Sequence, residues 1–315
     1  MNSKSKDIHE IIRKIYLDIL DREPDIDGFE HWSKMLQENI MTLEEIKNTF
    51  YNSQEYEQLD PKFNFSTKKE PPKGFFDNYP KFFHTSKTVE HPNHLNGRYK
   101  AIIESNLDII QNSSILDIAS HDGRWSFAAL KNGAKHVVGI EAREHLVKNS
   151  YQNMVTYGID QSSYQFITND IHKEIQNLEP NQFDVVFCLD FLYHTIEHYF
   201  LLSQIKRLNP KFVIIDTRID LSDERIIKLH VDRPTKFGEA HAFSPEKLKQ
   251  EILVGTPSKL GLEMMLNCLG FTNISYFDWK NKIQNFRNLV DYYHGKRITL
   301  VAENNNTFDA IKSQK

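Results

Sequence analysis

The residues with the clearest chemical pattern lie between positions 115 and 143. An apolar run, Ile115-Leu116-Asp117-Ile118, passes into Ala119-Ser120-His121-Asp122-Gly123, and a helix-forming stretch begins at Arg124. A second apolar run ends in a carboxylate, Glu141, followed by Ala142 and Arg143. A tight turn between a strand and a helix lets backbone N–H groups approach a ligand. An acidic residue about 20 positions on can then accept hydrogen bonds from ribose hydroxyls. The pair suits a nucleoside. A dinucleotide fingerprint would place glycines where Ala119 and His121 stand, so a pyrophosphate has no obvious room and nicotinamide chemistry is disfavoured. The chain is short of glycine throughout, with 12 in 315 residues, and any ligand loop must be atypical.

A second pattern points to different chemistry. His194-Thr195-Ile196-Glu197-His198 fits the H-x-x-E-H arrangement in which two histidines one helical turn apart bind zinc. Five residues make a weak signal in a chain with 14 histidines, and the position after an apolar strand has an independent explanation, so no metal is expected. The two cysteines, Cys188 and Cys268, stand in apolar surroundings and supply neither a disulfide framework nor a thiolate zinc site. A reducing, cytoplasmic setting is expected. The N-terminus lacks the apolar core of a signal peptide, and no run approaches the roughly 18 apolar residues of a membrane span.

These residues need elements to hold them. From Ile8 the apolar positions recur at Ile11, Ile12, Ile15 and Ile19, the period of a helix with one buried stripe. Pro24 and Gly28 break it. A second helix carries Phe29, Trp32, Met35 and Leu36. A third opens at Thr42, where Glu45 three residues on completes a capping box. Residues 1–58 thus read as a small all-α domain, with net charge −6 against +2 for the remainder. Its phrase from Tyr16 to Trp32, closed by Ser53-Gln54-Glu55-Tyr56, resembles the phycobilisome-linker-like domain of unknown function. The resemblance implies an accessory module that could bind a protein partner.

Residues 59–75 combine three prolines with four lysines and show no period, which marks a linker. Between Lys62 and Lys100 eight basic and three acidic residues interleave with Phe75, Phe76, Tyr79, Phe82, Phe83 and Tyr99. The stretch could form a lid over an anionic substrate or a strap whose aromatics pack on the main domain, and the strap is the preferred reading. Beyond Asn93, β-rich runs at 114–118, 136–140, 164–167, 183–189, 212–215, 273–277 and 297–301 alternate with helical lengths, except that a polar, loop-rich stretch joins the last two. A mostly parallel sheet with helices on both faces follows, with the last strands antiparallel and any ligand at the strands' carboxyl ends. The chain as a whole is acidic, at −4, which does not suggest a surface adapted throughout to nucleic acid.

The order and spacing of these strands, with the Asp117–Gly123 turn and Glu141, resemble the class I S-adenosylmethionine-dependent methyltransferases over residues 93–303. That resemblance implies an α/β, Rossmann-like domain at 76–304 after the helical module, ending in a polar tail at 305–315. It implies S-adenosyl-L-methionine as cofactor, with the amino acid end cradled by Asp117, Ala119, Ser120, His121 and Gly123. The ribose would be held at Glu141 with Ala142 and Arg143, the adenine at Asn169 and Asp170, and the methyl group would face Leu189 and Asp190. Ala119 stands where glycine is usual. The Phe183–His194 phrase and the Pro257–Phe271 segment look most like the branch containing tRNA wobble-uridine carboxymethyl transferases.

Methyl transfer to a hydroxyl needs an aligned acceptor and removal of its proton. His194 is the candidate base, with an unperturbed pKa of about 6.5, or else a positioning residue; Asp190 and Tyr193 stand behind it. The insertion after the fifth strand commonly builds an acceptor pocket in such enzymes. Asp232, Arg233, Glu239 and His241 are therefore candidate substrate contacts, with Arg218 beside them; solvated loop charge is the competing reading. The fused module points to a hydroxyl or amine on a small molecule or glycan as acceptor. Transfer to tRNA and a noncatalytic cofactor-fold binding protein are the alternatives.

Overall fold

The computed structural model describes residues 3–20, 22–38, 40–51, 53, 74–85, 92–232, 252–283 and 289–305. The chain divides into two compact units, Met1–Pro72 and Lys73–Lys315.

The first unit contains α1 (Ser3–Leu20), α2 (Ile26–Gln37) and α3 (Leu43–Tyr51). Most of the apolar stripe of α1 is buried: Ile12, Ile15, Tyr16 and Ile19 close on Ile46 and Phe50 of α3, with Trp32 packed against the cluster, whereas Ile11 is exposed. The Asp25 side chain caps α2 by accepting from the Gly28 N–H at 2.8 Å. Thr42 and Glu45 exchange the reciprocal bonds of a capping box at the start of α3. Gly28 lies close against α1: a Cβ there would stand 2.1 Å from the Tyr16 hydroxyl, so the Tyr16 side chain would have to shift.

The second unit is built on a seven-stranded sheet. Its strands are β1 (Ser114–Ile118), β2 (His136–Glu141), β3 (Tyr164–Thr168), β4 (Val185–Leu189), β5 (Phe212–Arg218), β8 (Phe271–Tyr276) and β9 (Arg297–Asn304). They lie in the order β3-β2-β1-β4-β5-β9-β8. The first five are parallel, β9 runs antiparallel to β5, and β8 runs antiparallel to β9. This is a Rossmann-like sheet whose order reverses between β1 and β4, the place where open α/β sheets bind ligands at the carboxyl ends of their strands. The helices are α4 (Pro92–Ile102), α5 (Arg124–Lys131), α6 (Glu144–Thr156), α7 (His198–Leu208) and α8 (Lys259–Cys268).

Successive strand residues face opposite layers. Ile115, Val137, Phe187 and Ile214 join one core, and Leu116, Val138, Val186 and Ile215 join the other. The aromatic strap belongs to the first of these cores: Phe76 and Phe82 are fully buried, and Phe75 stacks on Tyr99 with ring centroids 4.2 Å apart. The strap reading therefore holds for these aromatics and the lid reading does not.

The polar stretch after the fifth strand departs from expectation. β6 (Ile227–Asp232) pairs antiparallel with β7 (Ile252–Pro257) as a separate two-stranded sheet. Ile227, Leu229 and Val231 alternate with Lys228, His230 and Asp232, a strand period that remains largely exposed. Most of the 59–75 linker and of the 305–315 tail lies outside the described residues. Among the described residues no helix is long and apolar enough to cross a membrane.

Candidate active site

The turn after β1 is shaped by three left-handed residues at alternate positions, Ala119 (φ 53°), His121 (φ 54°) and Gly123 (φ 76°). The alternation folds the turn into a tight cradle, in which the Ser120, His121 and Gly123 N–H groups already donate to the Ile140 carbonyl, to Glu141 and to the Ser120 carbonyl. Ala119 adopts the conformation that a glycine would take freely, at a cost of order 1 kcal/mol. Neighbours fix that shape: the Ser120 N–H donates to the Ile140 carbonyl, Ser150 Oγ to the His121 carbonyl and Asn153 Nδ2 to the Asp122 carbonyl. Gly139 permits the approach of β2, since a Cβ there would stand 2.5 Å from Phe166 and 2.8 Å from Ser120 Oγ.

Asp117 is buried beneath this turn and accepts from Ser126 Oγ at 2.6 Å, which ties the end of β1 to α5. Burial pushes its carboxyl up to about 7. It is a brace under the cradle. His121 is half-buried, and the Arg124 Nη2 lies 3.0 Å from its Nδ1. A guanidinium only donates, so Nδ1 is the acceptor and the proton sits on Nε2. Burial and then Arg124 hold this ring below its usual pKa and hence neutral.

Glu141 ends β2 with its side chain almost wholly buried. It accepts from the His121 N–H at 3.1 Å, and from the Arg143 N–H, Nε and Nη2 at 3.0, 2.8 and 3.1 Å. Burial acts to raise its pKa, but the Arg143 bonds outweigh this and hold it below the usual range. Ala142 joins Glu141 to Arg143 in the same turn. After β3, Asn169 Nδ2 donates to Glu174 at 2.6 Å, and Asp170 caps a short helical turn by accepting from the His172 N–H at 2.9 Å. Leu189 is buried and pairs in register with Asp216.

Past β4 stands the densest polar cluster of the unit. Asp190 is left-handed (φ 60°), and its N–H donates to the Asp216 carbonyl at 2.8 Å. Arg98 of α4 lies 2.5 Å from the Asp190 carboxylate and 3.0 Å from that of Asp216, and Arg297 of β9 bridges the same two carboxylates. Asp216 also accepts from the Tyr292 hydroxyl at 2.8 Å and the Thr299 hydroxyl at 2.5 Å. Tyr193 donates to Asp190 Oδ1 at 3.0 Å and accepts from Arg297 Nη2 at 3.0 Å. His94, one turn before Arg98, is held neutral with its pKa lowered to about 4 by burial and then by the two arginines.

This cluster corrects part of the expected division of labour. Although burial opposes ionisation of Asp190, Arg297 and Arg98 hold its carboxyl far below the usual range, so it is an ion-pair partner and a poor proton acceptor. Burial and then Asp190 push the Tyr193 hydroxyl well up, which fixes it as a neutral donor. His194 occupies the same short helical turn, its ring 4.1 Å from that of Tyr193. The zinc pattern fails geometrically, because α7 begins only at His198 and leaves His194 in the preceding turn. His198 is buried, with Nε2 2.9 Å from the Gly255 carbonyl and Nδ1 3.2 Å from that of Ile196. Among the described residues no cluster of His, Cys, Asp or Glu could hold a metal.

Of the substrate candidates, Arg218 pairs with Asp291 at 3.1 Å and lies 5.3 Å over the Tyr193 ring, at the edge of the cluster. Asp232 ends β6, opposite Ile252. Arg233, Glu239 and His241 lie outside the described residues. Sequence reasoning passed over Arg98, Tyr292 and Thr299 as participants. Arg98 had been counted as one of the strap's basic residues. Asp216 carried a usable signal, an acid at the end of an apolar run as at Glu141.

Comparison with known proteins gives the class. Residues 109–254 match the family model described as a methyltransferase domain, and residues 3–59 match a domain of unknown function, DUF4214. The second unit is thus a Rossmann-like domain, of which residues 109–254 are similar to methyltransferase domains. Curated relatives include a tRNA U34 carboxymethyltransferase from Nautilia profundicola, 29% identical over 37% of this chain and 38% of its own length. Another of that name, from Aliivibrio salmonicida, is 27% identical over 55% of this chain and 48% of its own length. The chain thus spans less than half of the relatives it matches. The fold is also similar to an S-adenosylmethionine-dependent methyltransferase from Mesorhizobium loti, with TM-score 0.46 and 14% identity over 66% of this chain and 97% of that one.

Proposed function

We propose that the protein methylates a hydroxyl or amine on a small molecule or glycan. S-adenosylmethionine supplies an electrophilic methyl group when bound. The turn 119–123 would receive its amino acid end, Glu141 its ribose hydroxyls and the Asn169-Asp170 corner its adenine, with Leu189 beside the methyl group. The left-handed cradle and the buried carboxylate closing β2 fit that role. His194 would take the acceptor's proton, on the same turn as a Tyr193 hydroxyl fixed by Asp190 and Arg297.

One observation favours a neutral acceptor and a plain methyl group: among the described residues, the charges of the cluster past β4 balance. Arg98 and Arg297 are matched by Asp190 and Asp216, Arg218 is matched by Asp291, and His94 is neutral. A carboxymethyl group or a phosphate-rich acceptor would bring negative charge to a cluster whose cations, among the described residues, are already paired. Carboxymethyl transfer to tRNA, the activity named for the curated relatives, is the second reading.

The test is S-adenosylhomocysteine titration by calorimetry, followed by transfer assays over sugars, nucleotide sugars, amines and tRNA with mass detection. Gain of one methyl on a hydroxyl or amine is expected. A carboxymethyl gain on tRNA would replace this reading with the second. Tight binding without transfer to any acceptor would point to a noncatalytic protein.

A further inference from the structure

We infer that the Arg143 guanidinium competes with the ligand's ribose for Glu141, and so sets both the affinity and the ribose dependence of the nucleoside site. The inference rests on the reading of Glu141 as ribose acceptor. An ionised carboxylate offers about four lone-pair positions, two on each oxygen. On Glu141 the backbone N–H and Nε of Arg143 meet Oε1, and the His121 N–H and Arg143 Nη2 meet Oε2, all within 3.1 Å. Donors and acceptor positions are therefore matched before any ligand arrives. A ribose diol needs two of those positions.

Two of the four donors cannot leave cheaply. The His121 N–H belongs to the left-handed turn anchored by Ser150, and the Arg143 N–H belongs to the cap residue of α6. The guanidinium can leave, because a side-chain rotation releases Nε from Oε1 and Nη2 from Oε2 together. The two hydroxyls of a diol would replace them one for one. Exposure agrees with this division: 18% of the Arg143 side chain is accessible against 4% for Glu141. A bidentate, charge-assisted pair is among the stronger protein hydrogen bonds, so breaking it weakens net ligand binding.

The experiment is calorimetric titration of S-adenosylhomocysteine into wild type, Arg143→Met and Arg143→Lys at pH 8, where Glu141 stays ionised, repeated with the analogue lacking the 2′-hydroxyl. Arg143→Met should bind roughly tenfold tighter. Arg143→Lys, which keeps a cation but loses the fork, should fall between the two, and it carries the test by itself if the Met variant does not fold. With the deoxy analogue, which keeps one of the two hydroxyls, the gain should shrink to about threefold, half of it in free energy, which a merely structural effect would not produce. Equal or weaker binding in both variants, or a gain undiminished with the deoxy analogue, overturns the competition and leaves the nucleoside site standing. Failure of S-adenosylhomocysteine to bind any of the three chains overturns the site as well.

Discussion

Two residues carry predictions of opposite kinds. Asp117 loses its proton near the ordinary aspartate value of 3.8 in the unfolded chain, whereas burial raises it to about 7 in the folded one. Between those values the native state keeps a proton that the unfolded state has given up, so this group's contribution to stability falls as pH rises through the window. Asp117→Asn keeps an acceptor for Ser126 and removes the titration. Thermal unfolding of that variant between pH 4 and 7 should therefore show a flatter profile than wild type; an unchanged slope would mean that Asp117 does not titrate there. His194→Ala should abolish transfer, losing at least about 100-fold in rate, while S-adenosylhomocysteine affinity is retained. Unchanged turnover rejects the proton-acceptor role. Glu141 was legible from its place at the end of an apolar run. Arg98 was not, because nothing in a basic stretch tells which cation will be drawn into a buried pair.

Among the elements, the ion cluster is the joint of the sheet's right half. Asp216 on β5 holds Arg98 of α4, Arg297 and Thr299 of β9, and Tyr292 from the β8–β9 connection. Removing one member of a buried set leaves the others without compensation, so Asp216→Ala should cost about 3–5 kcal/mol. Urea unfolding measures this, and a loss below about 1 kcal/mol would show that Asp190 alone suffices to neutralise the two arginines. The same joint holds Asp190 in its left-handed conformation at the end of β4, which couples packing to the shape of the site. Strands of the main sheet could be located in the sequence because both faces are buried and their apolar runs are dense. β6 and β7 escaped notice for the converse reason: Leu229 and Val231 are each 53% exposed, so an alternating pattern there marks no core.

The molecule as a whole consists of two units with separate cores, one around Ile12, Tyr16 and Phe50 and the other on the two faces of the sheet. A fragment spanning 73–315 should therefore fold by itself, bind S-adenosylhomocysteine within about twofold of the full chain, and reproduce one of two calorimetric transitions of the intact protein. A single cooperative transition in the intact chain, with a fragment that does not fold, would contradict this. The sequence by itself determined the helical module, the succession of strands along the chain and the antiparallel end of the sheet. Those features rest on local periodicity and on turn and capping chemistry, which act between residues close in the chain. Only the tertiary structure decided that Asp190 and Tyr193 are members of an ion cluster, that Ala119 takes a glycine's conformation, and that Arg143 saturates Glu141. Each depends on which charges and backbone groups the fold brings within about 3 Å of one another. In the ion cluster those groups include Arg98 and Asp216, 118 positions apart, a meeting that no local pattern encodes.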